Sequence, residues 1–230
     1  MAPDLDTDIL GTFTGEVERK EDPLATAKSK CIIAMELTNC DLAIASEGSF
    51  GQHPSLFFAP ADDEFLYFYD KKHDLHISVR ELSLDTNFNG SPIKTEEELF
   101  AFADKAKFPS HGLILRKSKE DLNEIVKGIT SKDHLLKVFN RIIHNFGEAY
   151  VETDMRALYN PTRMQVIERA TKKLVEKINT LCPTCHTPGF GITKAKQGLR
   201  CEICNYPTRS IISQIYSCQK CEHSQEVFYP

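Results

Sequence analysis

The chain predicts an α/β domain built on a mixed sheet with flanking helices, followed by a small cysteine-rich, ribbon-like module at the C-terminus. Three observations predict it. Alternating apolar runs are interleaved with segments of helical periodicity, the order that builds α/β domains. Six of the eight cysteines fall between residues 182 and 221 as three Cys-x-x-Cys pairs. The length of 230 residues leaves room for one domain of ordinary size and a small appendage. The division expected is 1–180 for the α/β domain and 181–230 for the module.

Residues 1–22 are polar and rich in Thr, Gly and acid. A helix is predicted from Pro23 to Leu37, because proline suits the first helical position and Leu24, Ala27, Cys31, Ala34 and Met35 recur at helical spacing. Cys31 then reads as a small core residue, and Cys40 reads the same way. Leu42 to Ser46 is a short buried strand, running into a glycine-rich turn, Glu47-Gly48-Ser49-Phe50-Gly51. Residues 64–70 and 75–84 alternate apolar and polar positions and form two antiparallel strands joined at Lys71–Asp74. Thr95 is the N-cap of a helix reaching about Lys107. Gly112 to Arg116 is a strand, and Ser118 with Asp121 resembles a capping pair for a helix ending at Gly128. Ser131 to Phe146 is amphipathic and is stopped by Gly147. Ala149 to Thr153 is a strand, and Asn160-Pro161 opens a long helix to Ile178. A linker at about Asn179–Leu181 is short, so the module sits close to that helix.

The strongest chemical signal is the cysteine tail. A thiolate pair two residues apart forms a knuckle that supplies two of zinc's four tetrahedral ligands, and two knuckles complete a structural site. The candidate ligands are Cys182, Cys185, Cys201, Cys204, Cys218 and Cys221. Between Cys185 and Cys201 lie fifteen residues, a usual spacing for a four-cysteine zinc-ribbon-like module. Two possibilities stay open: one zinc held by two pairs with the third pair spare, or two zincs with His186 and His223 raising the ligand count. Spacing alone does not say which pair joins which. Cys182-Pro183-Thr184-Cys185-His186 also matches the haem-attachment pattern, which needs export and a haem-packing domain that nothing in the sequence signals. A dithiol redox centre needs fewer pairs and a thioredoxin-like context.

Charge narrows the partners. Residues 1–180 carry 23 Lys+Arg and 30 Asp+Glu, whereas the last fifty carry five and three. Four thiolates around zinc would bring the tail near neutrality, which argues against strong nonspecific DNA binding. The N-terminus carries no basic-then-apolar signal and no apolar run is long enough for a bilayer, so the chain reads as soluble and cytoplasmic.

Two further constellations carry chemistry. Glu152-Thr153-Asp154-Met155-Arg156, followed by Asn160, Pro161, Thr162 and Arg163, places carboxylates and arginines past a strand end and before a helix N-terminus. That edge binds ligands in open α/β sheets, and helix N-termini with arginines favour phosphate. The other reading is a salt-bridge network with an ordinary N-cap. The second constellation is Ala45-Ser46-Glu47-Gly48-Ser49-Phe50-Gly51 with His53, where glycines admit a ligand and the acid can hold magnesium. Asp6-Thr7-Asp8 through Glu16 can supply more ligands or be a solvated terminus.

Taken with the three cysteine pairs, Asp6-Thr7-Asp8-x-x-Gly11 to Glu16, Ala45 to Pro54, Glu152 to Ala157 and Asn160 to Met164 resemble an uncharacterised, mostly bacterial family of unknown function. Its members begin further upstream with a strand and a Thr-x-His-x-Lys-Glu turn, so the resemblance implies that this chain starts after that point and lacks an upstream strand-turn-helix. More distantly, the chain resembles the inosine triphosphate pyrophosphatase and Maf superfamily. Ala27 and Lys30 on a helix, then the Leu42–Gly48 segment and a hairpin, follow that order, with a single acid in place of the usual pair. The resemblance implies catalytic roles for Glu47 as a magnesium ligand and Lys30 as a phosphate contact. It also implies ligand binding by Arg156 or Arg163, and Glu16, Ser49, His53, Asp154 and Asn160 complete the candidate set. The function expected is magnesium-dependent nucleotide binding or nucleoside-triphosphate pyrophosphatase-like hydrolysis. The alternative is a non-catalytic zinc-ribbon protein contacting a protein or nucleic acid.

Overall fold

The computed structural model describes residues 22–229. Asp22 accepts hydrogen bonds from the backbone N–H groups of Leu24 and Ala25 and so caps α1 (Pro23–Thr38), which ends at Asn39 in the left-handed conformation. β1 (Leu42–Gln52), β2 (Pro60–Asp70) and β3 (Leu75–Ser83) then form an antiparallel meander in the order β1-β2-β3. β4 (Gly90–Ile93), α2 (Glu96–Lys105), β5 (Leu113–Arg116), β6 (Val126–Ile129), α3 (Lys132–Phe146) and β7 (Ala149–Thr153) make a second layer whose strand order is β4-β7-β5-β6. A short 3₁₀ turn (Ala157–Tyr159) leads into α4 (Pro161–Asn179). β8 (Gly191–Gln197), β9 (Ile211–Ser217) and β10 (Ser224–Phe228) form the third sheet, in the order β10-β9-β8.

The α/β architecture with flanking helices and a terminal ribbon is therefore as expected, with the strands distributed over three sheets. Every strand pairing among the described residues is antiparallel. The ligand-binding edge of an open parallel sheet thus has no counterpart in this fold.

Side-chain alternation explains the layering. In the first sheet Leu66, Leu75 and Ile77 face Ala170 and Leu174 of α4, while Tyr67, Ala43 and Ala45 face Ala27 and Cys31 of α1. In the second, Leu113, Leu115, Ile129 and Val151 pack against Leu99 and Phe102 of α2 and Phe139 and Ile142 of α3. Helix ends follow local rules. Thr95 and Glu98 form a reciprocal capping box on α2, Ser131 caps α3, and Gly147 closes α3 at φ 78°.

Three expectations are corrected. Residues 47–51 are not a turn, and the stretch before them is not buried, since Leu42 and Ile44 are exposed: β1 runs unbroken through both, Gly48 leaves room for a guanidinium from α4, and an added Cβ would lie 2.5 Å from Arg163 Nη2. Residues 118–128 are not a helix. An Asx turn from Asn123 N–H to Asp121 Oδ1 ends the polar stretch, and Val126 and Ile129 then pair with β5 and join the second core. Cys31 is buried as expected, and burial pushes its thiol up to about 11, but Cys40 is exposed just beyond the left-handed end of α1.

The ribbon is docked on the first sheet. The Gly189 and Phe190 N–H groups donate to Thr180 O at the end of α4, and α4 is tied to the sheet by Lys177 Nζ, which donates to Ser78 O. Gln219 acts as a surrogate peptide: His76 N–H donates to its Oε1 at 2.9 Å, and its Nε2 donates to His76 O at 3.2 Å. Gly189 has φ +88° and an added Cβ would lie 2.7 Å from Ile77 Cγ1. Gly189→Ala is therefore expected to cost about 2–4 kcal/mol, from left-handed strain and overpacking together. Denaturant titration of the variant checks it, and a loss within error of zero would contradict the close approach.

Candidate metal centre and ligand cleft

Cys182 and Cys185 precede β8, and Cys218 and Cys221 lie between β9 and β10, so the β8–β9 hairpin and the β9–β10 turn bring the first and third pairs together. All four sulfurs lie within 4.8 Å of one another, with Cys182 to Cys221 and Cys185 to Cys218 both at 3.6 Å. A tetrahedral zinc with Zn–S of about 2.3 Å needs S–S edges of about 3.8 Å, so the donor set fits with little adjustment. The knuckles are shaped by the backbone. His186 and Glu222, each following the second cysteine of its pair, are left-handed at φ 58° and 59°. Cys182 N–H donates to Thr187 O and Cys218 N–H to His223 O, each at 2.9 Å. Hydrogen bonding with the Thr187 side chain and backbone lowers the Cys185 thiol to about 6. Phe190 and Tyr216 complete this small core.

Spacing left open which pairs join, and the fifteen-residue gap made Cys182/Cys185 with Cys201/Cys204 one acceptable set. The structure instead puts Cys201 and Cys204 at the far end of the β8–β9 hairpin, since Gly191 pairs with Ser217 beside Cys218 whereas Gln197 pairs with Ile211. His186 and His223 stay with the four-cysteine cluster and cannot serve the second pair. Among the described residues, the four-cysteine cluster is the one group of three or more cysteine, histidine or carboxylate side chains close enough to hold a metal.

The Glu152–Arg163 constellation is drawn into internal pairings. Asp154 is fully buried. It receives Arg156 through two hydrogen bonds (Nε to Oδ1 at 3.0 Å, Nη2 to Oδ2 at 2.6 Å), and Gly128 N–H donates to it at 2.9 Å. Arg163 Nε donates to buried Glu64 at 2.5 Å and its guanidinium lies 5.0 Å from the Phe50 ring centroid. The N-terminus of α4 is capped from within: Asn160 Oδ1 accepts from Arg163 N–H and His111 Nε2 from Thr162 N–H. Burial, with the nearby Lys107 charge, holds His111 below its ordinary value and hence neutral, as an acceptor must be.

Lys30 Nζ donates to Glu47 Oε2 at 2.5 Å, joining the two catalytic candidates on the α1 face of β1. Arg163 and Gly48 lie on the other face, so the sheet separates the Glu47–Lys30 pair from Arg163. Ser49 pairs with Asp63 along the Glu47 face. His53 Nδ1 accepts from the N–H groups of Ser55 and Leu56, which organises the loop carrying Phe57 and Phe58. Glu16 lies outside the described residues.

What the sequence did not signal is an open cleft of about 790 Å³ between the end of the first hairpin and the second sheet. Phe57 and Phe58, 75% and 79% exposed, stand on one side. Arg116, Lys119, Tyr150 and Glu152 stand on the other. Arg116 Nη2 donates to Glu152 Oε2 at 2.9 Å and packs over Tyr150, and burial raises the Glu152 carboxyl above its ordinary range despite that arginine. The adjacent exposed phenylalanines were the available signal.

Fold and site define a mixed α/β protein with a four-cysteine centre able to hold a metal such as zinc. The chain belongs to a family described as a domain of unknown function (DUF6671), whose model matches residues 30–230. No curated protein and no solved structure matches the chain significantly. No helix among the described residues is long and apolar enough to cross a membrane.

Proposed function

We propose that the protein binds a nucleotide-like phosphate ester in the cleft between its first two sheets, and that zinc at Cys182, Cys185, Cys218 and Cys221 is structural. The observation that carries the reading is the cleft itself: its volume suits a ligand of nucleotide size. Phe57 and Phe58 offer π-faces for a base, and Lys119 and Arg116 sit across from them for phosphate. The zinc, when bound, supplies a fixed crosslink and no reactive position, because all four ligands come from protein.

Titration calorimetry of the metal-loaded chain with purine and pyrimidine nucleotides tests it. The Phe57→Ala/Phe58→Ala variant is expected to lose about 1–3 kcal/mol of binding, and Lys119→Glu a comparable amount. Absence of binding by any nucleotide, or equal binding by both variants, would overturn the assignment. Hydrolysis is a finer reading at a separate place: the Lys30–Glu47 pair, on the α1 face of β1 and outside the residues that line the cleft, supports it together with the pyrophosphatase resemblance. On that reading magnesium at Glu47 and the Lys30 ammonium would stabilise charge on a phosphoanhydride under attack by water. Pyrophosphate release that needs magnesium and disappears in a folded Glu47→Gln variant is the expected result. Full activity in that variant removes Glu47 from the chemistry.

A further inference from the structure

We propose that Cys201 and Cys204 are half of a second metal site, completed by the same pair of a second copy of this chain, so that one zinc joins two molecules tip to tip. The argument begins with the backbone. The segment around Cys201 and Cys204 repeats the knuckle fold of Cys182 and Cys185 bond for bond. Asn205 is left-handed at φ 55°, matching His186 at 58°. Asn205 N–H donates to Cys201 O at 2.8 Å and Cys201 N–H to Tyr206 O at 2.9 Å, matching His186 to Cys182 and Cys182 to Thr187 at 2.9 Å each. The flanking bridges correspond as well, Arg200 with Pro207 and Leu181 with Pro188. Asparagine is one of the non-glycine residues that accepts the left-handed conformation, so Asn205 suits the position that His186 fills in the first knuckle. The shape presents two sulfurs as metal ligands in the one knuckle, and the same backbone presents two in the other.

Among the described residues the site is incomplete within one molecule. A seven-residue hairpin arm puts the pair about 20 Å from the four-cysteine centre. No third cysteine, histidine or carboxylate joins it among the described residues, and residues 1–21 contain neither cysteine nor histidine. Zinc in a closed structural site takes four ligands, and two knuckles related by a twofold axis supply them.

The tip is also suited to meeting its own copy. Ile203, between the two cysteines, is 96% exposed, and Tyr206 is 74% exposed. Around them stand Arg200, Glu202 and Arg209, one net positive charge per chain. Two copies then balance the double negative charge of zinc with four thiolates, without a partner of different composition.

Zinc content and mass of the full chain in reducing, zinc-replete buffer decide the matter. The expected result is about 1.5 zinc per chain, one closed centre and half of a shared one, with a mass in light scattering approaching twice 26.1 kDa as concentration rises. Cys201→Ser/Cys204→Ser is expected to be a monomer with about one zinc per chain and unchanged circular dichroism. Ile203→Asp keeps both thiols and is expected to weaken the dimer at least tenfold. A monomeric wild-type chain overturns the proposal, whether it holds one zinc or two. A dimer that survives loss of both thiols, or a Cys201–Cys204 disulfide persisting in reductant, overturns it as well.

Discussion

Arg163→Ala is expected to destabilise the protein by about 3–5 kcal/mol at neutral pH, the loss seen when one member of a buried ion pair is removed. Glu64 is fully buried, and its Oε1 is held by Arg163 Nε at 2.5 Å. The same guanidinium donates to Met155 O at 2.6 Å, tying α4 both to β2 and to the segment after β7. Asp62, also fully buried, has neither carboxyl oxygen bonded. Burial, then the Glu64 charge, pushes its pKa from an ordinary 3.8 up to about 8. The native state therefore keeps a proton on Asp62 that the unfolded chain has released, so stability declines as pH rises from about 4 to about 8. Asp62→Asn is expected to flatten that decline. Urea unfolding at pH 5 and pH 7.5 reads both effects: the Asp62 contribution as the difference between the two pH values, and the Arg163→Ala loss at each of them. A loss below about 1 kcal/mol at both values would show that the pair carries little.

Removing the metal, or replacing Cys182 with serine, is expected to unfold β8 to β10 while leaving the two helix-covered sheets intact. The buried apolar core of the ribbon consists of Cys182, Phe190 and Cys218, with Tyr216 against them. A core of that size cannot offset the chain entropy of fifty residues, so metal binding supplies the folding free energy, on the order of 10 kcal/mol for structural zinc. The first and second sheets have separate cores on α4, α2 and α3. Amide spectra under a strong chelator check this: resonances of Ile211–Ser217 should collapse and those of Leu113–Arg116 and Ala149–Thr153 should persist. Retained dispersion in the ribbon would mean that it folds without metal. Cys201→Ser, outside the closed centre, should leave the ribbon folded.

The elements readable in the sequence are those fixed by local chemistry. Thr95, Ser131 and Asn160-Pro161 announce helix starts and Gly147 a stop, because a cap satisfies backbone groups two or three residues away. β7 was legible from its alternation and flanks. What failed was decided at long range. Gly48 and Gly51 look like a turn until Arg163, more than a hundred residues later, fills the space above Gly48. Val126–Ile129 became a strand because β5 offered an open partner. Cysteine identity was legible but pairing was not, since both spacings are chemically acceptable and the hairpin length alone decides. The cleft was least legible of all, because residues 57–58 and 116–152 meet only after both sheets have formed.

Gln219 lies between Cys218 and Cys221 of the four-cysteine centre, and its side chain bonds the backbone of His76 in β3, an outer strand of the first sheet. An outer strand with free backbone groups is a template for pairing with other chains. The amide of Gln219 occupies that position at His76, and it does so only while the knuckle holds its shape. With zinc in the four-cysteine centre, its loss would uncover an adhesive margin on an otherwise folded domain. Zinc depletion would then be felt first as self-association through β3, ahead of any loss of the first sheet's own structure.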